Sequence, residues 1–134
     1  MQLEIIQQGI QQAAYHPTPA DAERYLSARE NYVRALKRIR NPISRVPLAV
    51  RAGATAFMVP VEVLQGPRDQ KDIEVSETRQ KLMAFVRVVS LSVHPERPNP
   101  FKQIAAAFNR KHPCIIHATY KYGSEITAAL ELER

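Results

Sequence analysis

The 134-residue chain has one cysteine, so no internal disulfide can form and a reducing compartment is the expectation. Long apolar runs are missing too. No stretch approaches the roughly 20 consecutive apolar residues that a bilayer span needs, and the opening MQLEIIQQGIQQ lacks the basic flank and apolar core of a secretory signal. The phosphate-loop pattern G-x-x-x-x-G-K-[ST] is absent, and the chain is too short for an ATPase module. Acid is in deficit: thirteen Asp and Glu face nineteen Lys and Arg, a net charge of +6, which favours a polyanionic partner. The expectation is a cytoplasmic protein that is not an enzyme, needs no cofactor and does not enter the membrane.

What is present is helical periodicity cut by prolines, which predicts an all-α fold, a small helical bundle preceded by a long amphipathic N-terminal helix. Residues 1–15 carry a weak amphipathic pattern (Leu3, Ile6, Ile10, Ala13) interrupted by Gly9, and His16-Pro17-Thr18-Pro19 breaks it. From Ala20 to about Arg40 the stripe Ala22, Tyr25, Leu26, Tyr32, Val33, Leu36, Ile39 predicts the longest helix. Acids lie toward its start and bases toward its end, as the macrodipole prefers. That stripe has two readings, packing on the rest of the chain or pairing with a second copy as a homodimer. Chain order suggests an N-terminal extension over 1–45 and a second unit over 46–134.

In the second unit a helix over Leu48–Phe57 is expected, then a short helical piece in VPVEVLQG closed by Gly66 and a polar loop to Lys71. A central helix follows, N-capped by Ser76, with Leu82, Met83, Phe85, Val86, Val89 and Leu91 turned inward. The proline-punctuated HPERPNP (His94–Pro100) cannot continue a helix and reads either as an added phosphate contact through Arg97 or, preferred, as a surface turn.

FKQIAAAFN (Phe101–Asn109) then supplies a short helix that Asn109 can end, and NRKHPCIIHATYK (Asn109–Lys121) opens another near His112. Pro113 suits a first helical turn, because its missing N–H costs nothing there. The i, i+3, i+4 rule puts Pro113, Cys114, His117 and Lys121 on one face, with Ile115, Ile116, Thr119 and Tyr122 able to pack inward. Two short helices with a tight link, the second basic at its start, give a helix-turn-helix pattern.

These stretches resemble the C-terminal DNA-binding domain of the bacterial chromosomal replication initiator DnaA. NRKHPCIIHA stands where that family reads roughly G-G-R-D-H-T-T-V-L-H-A. ETRQ (Glu77–Gln80) resembles its R-P-R-Q, IAAAFN its I-G-x-x-F-G, and AGATAFMVPVEVLQGPRDQK (Ala52–Lys71) its first helix and basic loop. The order and rough spacing of the four pieces match over about residues 46–134, and HPERPNP is longer than the family's connection.

The resemblance implies double-stranded DNA as partner. It implies a minor-groove contact near Lys71, phosphate contacts at Arg79, Gln80, His117 and Lys121, and base reading at His112. On charge, Arg79, Lys102, Arg110, Lys111 and Lys121 would neutralise phosphates, a salt-sensitive contribution blind to sequence. Lys111, His112, Pro113 and Cys114 would meet base edges. Lys111 stands where the family has Asp, so it can donate to guanine but cannot accept from a cytosine amino group. Pro113 and Cys114 replace two threonines, losing two hydroxyls. The expected function is a sequence-specific DNA-binding protein associated with the nucleoid, a transcriptional regulator or replication accessory factor, with a site unlike the initiator's own.

The alternative is a protein-interaction module derived from such a domain that no longer binds DNA. His112, Cys114 and His117 also invite a zinc reading, but three ligands within six residues of one helix do not surround a tetrahedral ion. A Cys-His hydrolase would need an orienting partner for Cys114.

Overall fold

A computed structural model describes residues 17–39, 45–67 and 72–131. The weak N-terminal pattern, Arg68, Lys71 and Leu132 lie outside the described residues. Six helices are formed among those described: α1 (Pro19–Leu36), α2 (Arg45–Ala56), α3 (Val61–Leu64), α4 (Ile73–Val93), α5 (Phe101–Ala107) and α6 (His112–Glu131). The fold is all-α.

α1 starts where the Thr18 side chain accepts from the Asp21 N–H at 3.2 Å, with Pro19 in the first turn. Tyr25, Ala28 and Tyr32 recur at i, i+3 and i+7 and are fully buried, in one core with residues of α2, α4, α5 and α6. The Tyr25 ring lies 5.3 Å from that of Phe57 and stacks on Phe85 at 6.4 Å, an arrangement aromatic pairs favour. Of the two readings of this stripe, internal packing is the one the structure displays, against α2 and α6. The division at residue 45 therefore follows chain order and separates no second core.

α4 is the central element. Five consecutive residues, Leu82 to Val86, are buried, which a helix achieves only when covered on several sides. It packs on α6, α2 and α5. α2 meets it at Gly53, where a Cβ would sit 2.7 Å from Leu82 Cδ2, so glycine there lets the two helices approach closely.

Three expectations change. α4 begins at Ile73, N-capped by Asp72, whose carboxylate accepts from the Val75 N–H at 3.1 Å; Ser76 lies inside the helix. Leu91 is 44% exposed, because it lies two residues, about half a turn, from buried Val89 and so on the opposite side of the helix. α2 starts at Arg45, two residues before Pro47. Gly123 does not interrupt α6, which runs unbroken to Glu131, since Gly123 sits against Val88 of α4 and packing offsets its poor propensity.

Candidate nucleic-acid interface

α5 ends in a tight turn that sets the start of α6. Asn109 adopts φ 56°, a left-handed conformation that Asn tolerates better than most residues. Its N–H donates to Ala106 O at 3.2 Å and the Arg110 N–H to Ala105 O at 2.9 Å, the paired bonds of a Schellman turn. The turn is held from outside by the segment after α3. Gln65 Nε2 donates to Ala107 O at 3.0 Å, and the Arg110 guanidinium to Gly66 O at 2.8 Å as well as to Phe108 and Asn109 carbonyls.

Ile115, Ala118, Tyr122 and Ile126 anchor α6 in the core. Its outer face carries Lys111, just before the helix, and His112, Pro113, His117 and Lys121, all exposed. Lys102 is exposed on α5. Neither Lys111, Lys121 nor Lys102 is paired with a carboxylate among the described residues; Lys121 Nζ rests 5.2 Å from the Tyr122 ring. The acid nearest along α6, Glu125, is buried, where loss of hydration pushes its carboxyl above the usual range against the opposing pull of Lys81.

Other expected residues sit elsewhere. Arg79 is 5% exposed, and its guanidinium donates to Leu64 O at 2.9 Å and Val63 O at 3.0 Å. It satisfies the last carbonyls of α3, and so points inward rather than to a phosphate. Gln80 is half-buried, with Oε1 shut from solvent. Arg110 is half-buried and committed to the turn. Cys114 is half-buried against the core, leaving little of it to face a base. Lys71 lies outside the described residues.

The reading of α6 also missed two side chains. Ile116, expected inside, is 47% exposed, and Tyr120 is 90% exposed. Both share the face of Pro113 and His117 at helical spacing, and extending the i, i+3, i+4 series one more turn reaches them.

No family model, curated protein or solved structure matches this chain.

Among the described residues no three His, Cys, Asp or Glu side chains are grouped to hold a metal, and no helix is long and apolar enough to cross a membrane. A shallow groove of about 310 Å³ between the end of α2 and α3 is lined by Arg51, Thr55, Met58 and Pro60 among others; those side chains provide no acid–base pair.

Proposed function

We propose that the chain binds double-stranded DNA, with the N-terminal half of α6 entering the major groove and α5 crossing the backbone, as a transcriptional regulator or replication accessory factor. The observation that carries this reading is the coincidence of a braced α5–turn–α6 unit with an outer α6 face rich in Lys and His and free of exposed acid through Lys121. A helix in a groove needs such a start: side chains pointing outward, a rigid entry angle and no like charge to the phosphates. Sequence would be read by Lys111 and His112, assisted by Pro113, with Lys102, His117 and Lys121 on phosphates. The likeness to the replication initiator's DNA-binding domain supports the same assignment. Lys111 in place of its Asp favours guanine at the contacted position.

The test is fluorescence anisotropy with pooled random duplexes and with a duplex carrying the initiator's box, over a salt series. Binding with a steep salt slope, weakened in Lys111→Ala and His112→Ala, is expected. No binding at low salt overturns the reading.

A second reading has its own observation. Ile116 and Tyr120 leave apolar surface one turn apart on the same face, which suits a helix-in-groove protein contact. It predicts that Tyr120→Ala abolishes partner capture while the salt series with DNA stays flat.

A further inference from the structure

The loop between α4 and α5 is more tightly built than a surface turn requires. Asn99 is 8% exposed. Its backbone N–H donates to Ser90 Oγ, Ser90 Oγ donates to Asn99 Oδ1 at 3.0 Å, and Asn99 Nδ2 donates to Gln103 Oε1 at 2.9 Å. Arg87 donates to Asn99 O at 2.9 Å and lies over the Phe101 ring at 4.2 Å. At the loop's other end Tyr32 Oη and His94 Nε2 are 2.7 Å apart, and Arg45 at the start of α2 donates to Arg97 O at 3.3 Å. Three prolines, Pro95, Pro98 and Pro100, further limit the backbone. Ordering seven residues in this way costs conformational entropy, yet Arg97 itself projects into solvent.

The result is a rigid platform with exposed cations on it and beside it in sequence: Arg97 from the loop, braced at its carbonyl by Arg45 from α2, and Lys102 from the first turn of α5. None is paired with a carboxylate among the described residues, and they outnumber the loop's single acid, Glu96. In a helix-turn-helix docking the first helix crosses the phosphate backbone beside the groove that the second enters. Whatever precedes α5 is then carried over the flanking phosphates.

We propose that Arg97, with Lys102 five residues on in the first turn of α5 and Arg45 holding the loop, forms a phosphate clamp that extends the DNA footprint beyond the base pairs read by α6. This rests on the DNA-binding reading above. The contact adds affinity without sequence information, and it exists because the loop is fixed.

Arg97→Ala, Lys102→Ala and the double variant separate the two ideas, since Arg97→Ala keeps the carbonyl that Arg45 bonds. Anisotropy is measured from low to moderate salt on a long duplex and on one trimmed to the base pairs facing α6. Each substitution is expected to lower the salt slope by about 0.9, the counterion release of one phosphate. Base preference should be unchanged, and the effect should vanish on the trimmed duplex. Wild-type slope in the double variant overturns the clamp while leaving α6 as the reader. Failure of the wild-type chain to bind any duplex overturns both.

Discussion

Lys81 of α4 reaches the first turn of α1, its Nζ 2.7 Å from Asp21 Oδ2, in a site where both side chains are largely covered. The pair joins the N-terminal helix to the central one. Glu125 of α6 lies near enough to be felt by Lys81 and Asp21, and the Tyr25 hydroxyl, buried beside them, has no hydrogen-bond partner among the described residues and is pushed well above its ordinary pKa by burial and by Glu125. Arg24 stands 3.4 Å from the other Asp21 oxygen, so Lys81 shares Asp21 with it and is the cation that Glu125 feels. Removing it by Lys81→Ala should cost about 3 kcal/mol, the lower end for breaking a buried pair, read as a drop in the urea midpoint. Glu125 should behave in the opposite sense. Burial raises its pKa in the folded state, so the native protein holds that proton more tightly than the unfolded one. Stability therefore falls as pH rises through the carboxylate range. Glu125→Gln should be neutral to stabilising at pH 7, with the gain fading as pH falls from the folded toward the unfolded value and gone below it.

Arg79 distinguishes structural from binding arginines. Its two hydrogen bonds to the Val63 and Leu64 carbonyls are charge-assisted and mostly out of water. Arg79→Ala should destabilise the fold by about 3 kcal/mol and leave the salt slope of DNA binding, measured below the unfolding temperature, as in the wild type. A slope reduced by about one with unchanged stability would return Arg79 to the backbone contact that its place in ETRQ implies.

That arginine marks where sequence stops being a guide. Apolar residues at helical spacing tell where Tyr25, Tyr32, Leu82 and Ile115 go, because burying them admits one face for each helix. The outer face of α6 follows from the same arithmetic, except that Ile116 and Tyr120 are core-like by residue type and exposed by position. Polar residues are less legible. Asp21, Arg79 and Glu125 are buried beside partners or neighbours far along the chain, and Asn99 is buried in a loop closed by Ser90 and Gln103, relationships that helical periodicity does not encode. Likewise Asp72 competes with Ser76 as cap, and only geometry decides which carboxylate or hydroxyl meets a free N–H.

Met58 occupies a strained position, with φ 56° after the end of α2 and a side chain 78% exposed. Its N–H donates to Thr55 O at 3.2 Å and the Val59 N–H to Ala54 O at 2.9 Å, the same two-bond closure that Asn109 makes after α5. A side chain with a Cβ costs roughly 1–2 kcal/mol in this conformation, while glycine loses more entropy on folding. Met58→Gly should therefore stabilise by about 0.5–1 kcal/mol, seen as a higher thermal midpoint. Asn109→Gly should gain less, since Asn already tolerates the conformation and its Nδ2 makes a long bond, 3.4 Å, to Gln65 O.

His94 links acidity to the platform that carries Arg97. Burial, and secondly the charge of Arg45, hold its pKa below the ordinary value, so the folded protein resists the proton that the unfolded chain accepts. A depressed folded pKa gives stability that is complete above the unfolded value, near 6.5, and that is lost as pH falls through the folded one. Tyr32, pushed up to about 12 by burial, stays neutral throughout and keeps its hydroxyl beside the ring, 2.7 Å from Nε2. Protonation leaves an imidazolium beside Arg45, which already donates to the loop at Arg97 O. The wild-type chain should therefore lose more stability between pH 7.5 and 5.5 than His94→Gln, which cannot take up a proton there. Urea midpoints at the two pH values measure this. Equal losses in the two proteins would mean that His94 is not a source of the acid sensitivity.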